Sequence, residues 1–177
     1  MLWARSPPRT AALLDRAKRY RRAPAKTRNT IDAALEWLKR FQDTRASGKN
    51  EKDGRWHPSL FVQHDKTRRI SGEGGTLYSA GVTGLALSAF LAVGRGDDPA
   101  VREGLDYLMN AQRPDGLFTG PRSQHFQIDH AYATAAVCEA WIVTQDPRLR
   151  RTARRRGLPG RAQSRSRVAL RPACRRE

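Results

Sequence analysis

Residues 101–118 read VREGLDYLMNAQRPDGLF, and residues 31–56 read IDAALEWLKRFQDTRASGKNEKDGRW. The two stretches are one phrase written twice. Val101, Gly104, Leu105, Tyr107, Leu108 and Gln112 stand seventy positions after Ile31, Ala34, Leu35, Trp37, Leu38 and Gln42. Each set runs on into an Asp-Gly turn closed by an aromatic: Asp53, Gly54 and Trp56 in the first, Asp115, Gly116 and Phe118 in the second. Self-similarity at a fixed offset is the mark of a repeat architecture. Eleven positions separate Gln42 from Asp53 where three separate Gln112 from Asp115, so the first unit carries an insertion.

Working outward, the apolar spacing predicts four helices. They cover about 30–44, 76–93, 99–112 and 130–144. Asp98 caps the third and Pro99 occupies its first turn. No period-two strand is present, so the fold class is all-α. The first and third helices are amphipathic, with Asp32, Glu36, Lys39 and Arg40, then Arg102, Glu103 and Asp106, on one side. The second and fourth are nearly uncharged and rich in Gly81, Gly84, Ala86, Ala89, Ala131, Ala133, Ala135 and Ala136. A helix apolar all round belongs inside. Each unit is thus an exposed outer helix, an Asp-Gly turn and a buried inner helix. The uncharged run 74–94 is long enough to span a bilayer. Its five glycines and its match to the fourth helix favour a buried helix, so no transmembrane span is expected.

The turn has a structural logic. A helix end leaves carbonyls unpaired. A Gln in the last turn reaches the backbone and the turn that follows, and Gly tolerates a positive φ. Gln42, Asp53, Gly54, Trp56, Gln112, Asp115, Gly116 and Phe118 are therefore expected to tie outer helix to inner helix, with no chemistry of their own.

These residues resemble the repeat of prenyltransferases and squalene cyclases, whose hallmark is a Gln followed by Asp-Gly-x-Trp/Phe. The resemblance covers about residues 30–150. It implies a partial α/α toroid of two helical hairpins, units 30–94 and 98–145, with inner helices lining a cavity and a third unit opening at 146. It also implies an apolar or isoprenoid-like ligand, and cavity-lining roles for Tyr78, Asp129, His130 and Tyr132. The family's full toroid takes five to seven hairpins, against two here. The Asp-x-Asp-Asp motif of its cyclases is absent, and the zinc ligands of its transferases have no clear counterpart. The reading is a binding or scaffold module with no catalytic residue, cofactor or metal. Two alternatives stand beside it: an enzyme of the same family whose catalytic hairpins are missing, and nucleic-acid binding through the Arg-rich ends. Unpartnered inner-helix faces at Leu85, Phe90 and Trp141 predict self-association.

The net charge of +17 sits in the two ends: +8 over residues 1–30, +9 over 151–177, and zero over 31–150. Residues 1–29 are expected to be a basic, partly disordered segment, with 11–22 able to form a short amphipathic helix. Residues 151–177 carry ten Arg and no Lys. Two readings stand: a disordered nucleic-acid-binding tail, or an artefactual end from out-of-frame GC-rich coding sequence. The break in mid-helix favours the second. No secretory signal is visible, so the expected location is cytoplasmic. Among candidate groups, Asp129 is expected to cap the fourth helix. His125, Asp129, His130 and Cys138 match no zinc spacing. Cys138 reads as a small buried residue, and Tyr78, Tyr132 and Trp141 as core aromatics. His57 and His64, in the long polar connection 45–75, read as solvated.

Overall fold

The computed structural model describes residues 8–43, 53–59, 61, 67, 74–119 and 125–154. Among these residues every regular element is helical, and there is no strand. The helices are α1 (Pro8–Arg22), α2 (Ala25–Arg40), α3 (Ser79–Ala92), α4 (Pro99–Ala111), α5 (Phe126–Thr144) and α6 (Pro147–Arg154). A 3-10 turn, Thr76–Tyr78, leads into α3.

The core follows the repeat. Val101, Leu105 and Leu108 of α4 are buried at i, i+4 and i+7. Seventy positions earlier, Leu35 is buried between the partly buried Ile31 and Leu38 of α2. Both triads close on Leu87, Phe90 and Leu91 of α3 and on Ala133, Ala136, Val137 and Ala140 of α5. Removing a side chain the size of Leu87 or Phe90 from water stabilises by about 2–3 kcal/mol.

Small residues set how α3 and α5 meet. A Cβ on Gly81 would strike Asp129 Oδ1 at 2.2 Å, and one on Gly84 would strike the Tyr132 carbonyl at 2.7 Å. Backbone therefore lies against backbone, and because 81 meets 129 and 84 meets 132 the two helices run parallel. At the next contact Gly104 leaves room for Trp56, whose Cζ3 would stand 2.9 Å from an added Cβ.

Several features differ from the sequence expectation. Most of the basic N-terminal segment is folded: Pro8–Arg22 is helical and Leu13 is 5% exposed. The cause is tertiary. Ala17 meets Gly94 after α3, and Arg16 pairs with Glu139 of α5 at 3.6 Å. Residues 1–7 lie outside the described residues. The first repeat helix starts at Ala25, ahead of its apolar period, because Arg28 Nη1 donates to the Ala23 carbonyl at 2.6 Å and closes the corner after α1. Phe90 is fully buried rather than unpartnered, its ring 6.2 Å from Trp56.

Helix α6 opens as α4 does. Arg148 N–H donates to Asp146 Oδ1 at 2.9 Å, as Ala100 N–H donates to Asp98 Oδ1 at 3.0 Å. Leu149 is buried where Val101 is buried, two residues after the proline in each case. The helix runs through Arg154, past the expected break at 151, and the rest of the tail lies outside the described residues.

Candidate functional site

In the second unit, Gln112 Nε2 donates to the Gly116 carbonyl at 3.1 Å and to the Thr152 carbonyl of α6 at 3.0 Å. In the first, Gln42 Nε2 donates to the Gly54 carbonyl at 2.7 Å and to the Ala100 carbonyl of α4 at 2.9 Å. Each Gln clasps its own turn and the next outer helix. The backbone frame repeats too. Asp43 N–H bonds Arg55 O and Gly54 N–H bonds Asp43 O, as Arg113 N–H bonds Leu117 O and Gly116 N–H bonds Arg113 O. Gly54 and Gly116 hold φ of +88° and +86°, a region that disfavours side chains. Residues 44–52, within the insertion, lie outside the described residues.

The aromatics of the motif turn inward. Trp56 is 3% exposed; its indole N–H donates to Leu38 O at 2.8 Å, and its backbone N–H to Thr83 Oγ1 at 3.0 Å. Phe118 stands 5.7 Å from the His130 ring. The two turn carboxylates differ. Burial pushes the Asp53 carboxyl up, whereas the Arg113 side chain hydrogen-bonded to Asp115 holds that carboxyl down.

The four expected cavity-lining residues separate. Tyr132 is 43% exposed and stands on the open side of α5. Asp129 is 5% exposed, set against Gly81 between the inner helices. It does not cap α5, because the helix begins at Phe126 after His125 and leaves Asp129 inside the first turn. His130 is half-buried between Phe118 and Thr134, and burial lowers its pKa. Tyr78 is half-buried, its ring 6.1 Å from His125.

What lies open is an apolar strip. Ile128, Ala131, Tyr132 and Ala135 are all exposed and share one face of α5 at i, i+3, i+4 and i+7. Leu85 is 48% exposed beside the Gly84–Tyr132 contact, and Leu77 is 54% exposed one turn ahead of Gly81. Helix α3 carries no charge, and the two carboxylates of α5 are the buried Asp129 and Glu139, which pairs with Arg16. Ile128 and Leu77 escaped the sequence reading. The signal for Ile128 was its heptad-like spacing with Ala131, Tyr132 and Ala135, hidden by starting the helix at His130.

Other groups are occupied structurally. His57 is 4% exposed rather than solvated, and its Nδ1 accepts from the Ser59 N–H at 3.2 Å. That bond makes Nδ1 an acceptor and places the ring proton on Nε2. Ser59 Oγ lies 3.0 Å from the same nitrogen, so the pair fixes a turn and does not form an open nucleophile and base. Burial, with the nearby Arg55, lowers the His57 pKa. Cys138 is half-buried and free. His64 lies outside the described residues. A narrow crevice between Gln112, Phe118, Thr134, Val137 and Thr152 has no room for a water molecule and is a seam between elements.

Among the described residues no group of three or more His, Cys, Asp or Glu is placed to hold a metal ion. Among them, too, no helix is long and apolar enough to cross a membrane. Comparison of the chain with protein-family models, with curated proteins and with solved structures finds no match.

Proposed function

We propose that the chain is a run of α/α-toroid repeats of the prenyltransferase and squalene-cyclase kind, and that it works as a binding module for an apolar, isoprenoid-like ligand. The observation that carries the reading is the open, charge-free strip of Leu85, Ile128, Ala131, Tyr132 and Ala135 on α3 and α5. An exposed apolar patch on parallel inner helices invites an apolar occupant. The two Gln clasps support the repeat architecture, because each joins one outer helix to the next through the same donor. The reading assigns no catalytic residue.

Dansyl-labelled farnesol is the direct probe. Its emission is expected to rise and saturate with the full chain, and the double variant Ile128→Asp, Tyr132→Ser is expected to abolish the rise with helicity unchanged by circular dichroism. Absence of any rise, or a rise that survives the double variant, overturns the reading. Without ligand the same strip is expected to pair copies of the chain, so sedimentation should show association that the double variant removes.

A further inference from the structure

We propose that the corner between α1 and α2 is a docking surface for the phosphate backbone of a nucleic acid. From Arg16 to Ile31 the sequence holds seven basic residues and no acid. The fold fixes this run in place. Arg28 is spent on the corner itself, bonding Ala23 O and, at 3.4 Å, Arg21 O. Asp32 accepts from the Tyr20 hydroxyl and from Arg95 Nη2, which locks α1, α2 and the turn before α4 together. Four cations remain: Lys18, Arg21, Arg22 and Lys26 are all exposed, and none pairs with a carboxylate among the described residues. Lys18, Arg21 and Arg22 stand at i, i+3 and i+4 on one face of α1, and Lys26 follows in the first turn of α2.

A rigid basic ridge attracts polyanions, and the apolar side of α1 decides which. A helix that lies in a bilayer surface must bury an apolar face. Here that face is already used: Leu13 is buried, Ala17 abuts Gly94 and Tyr20 bonds Asp32. Leu14, 52% exposed, is the large apolar residue left outside on α1. The corner therefore offers charge without an inserting surface, which suits phosphates in water.

The test uses the full chain with a fluorescein-labelled 20-base-pair DNA duplex, and in parallel with phosphatidylserine vesicles. With four phosphates neutralised, raising salt from 50 to 200 mM is expected to weaken duplex binding roughly a hundredfold. The variant Lys18→Glu, Arg21→Glu, Arg22→Glu, Lys26→Glu is expected to lose at least tenfold at low salt, with an unchanged thermal melt. The milder Lys18→Gln, Lys26→Gln pair is expected to flatten the salt slope. Absence of duplex binding at 50 mM salt overturns the proposal, as does tighter binding to the vesicles. It also falls if binding survives both corner variants but is lost with Arg161→Ser, Arg165→Ser and Arg167→Ser, because the tail then carries it.

Discussion

Gln42 and Gln112 show how one residue works twice at different depth. Gln42 is 1% exposed, and both of its acceptors, Gly54 O and Ala100 O, are buried with it. Gln112 makes the same two bonds where water can reach. A buried carbonyl that loses its donor costs far more than an accessible one. Gln42→Leu is therefore expected to cost about 2–3 kcal/mol and Gln112→Leu less than half of that, measured by urea denaturation. Equal losses would show that depth is irrelevant to the clasp. His57 supplies a pH dependence. Its folded pKa lies below the ordinary 6.5, because burial disfavours the charged ring. As pH falls through that ordinary value the unfolded chain takes up the proton first, so stability falls with pH in the acid range. Burial lowers His130 in the same direction. The urea midpoint is expected to drop between pH 7.5 and 5, and His57→Gln to make the drop shallower. A midpoint flat over that range contradicts the buried, neutral ring.

At the scale of elements, the inward face of α2 and α4 was readable, whereas for α1 a helix over 11–22 was readable but its docking was not. Ile31, Leu35 and Leu38, repeated as Val101, Leu105 and Leu108, give a local period that predicts which side turns inward. In α1 the inward residues Leu13, Ala17 and Tyr20 are sparse among arginines, so the sequence resembles a solvated segment. Its folding depends on partners far along the chain: Gly94, Glu139 and Asp32. Leu13→Ala removes a buried side chain at the joint and is expected to cost about 2–4 kcal/mol. Limited proteolysis should then cut first near the Ala23–Pro24 corner. No loss of stability, or first cleavage elsewhere, would place α1 outside the cooperative fold.

For the whole molecule, charge and apolarity are segregated. The stretch 31–150 is neutral overall, while the chain as a whole carries +17. The neutral part holds the core and the open apolar strip, and the basic excess lies before and after it. This segregation was legible from composition. The surroundings of the candidate residues were not legible: Tyr132 is exposed on α5, Asp129 is pinned against Gly81 and His130 faces Phe118. Helical spacing could not assign partners to these three. Spacing fixes their directions around α5 relative to one another, but which direction meets α3 and which meets Phe118 is decided by the elements packed against the helix.

The sequence by itself determined the repeated motif, the helical class, the split into charged amphipathic helices and nearly uncharged ones, and the residues of the Gln and Asp-Gly turn. Those are matters of local spacing, and local hydrogen bonds enforce them: the turn frame is the same in both units despite the insertion. Only the tertiary structure decided that α1 docks, that His57 is buried, that α6 extends through Arg154, and which side of α5 is open. Each of those depends on what the rest of the chain brings alongside, and a residue's own neighbours in sequence do not carry that information.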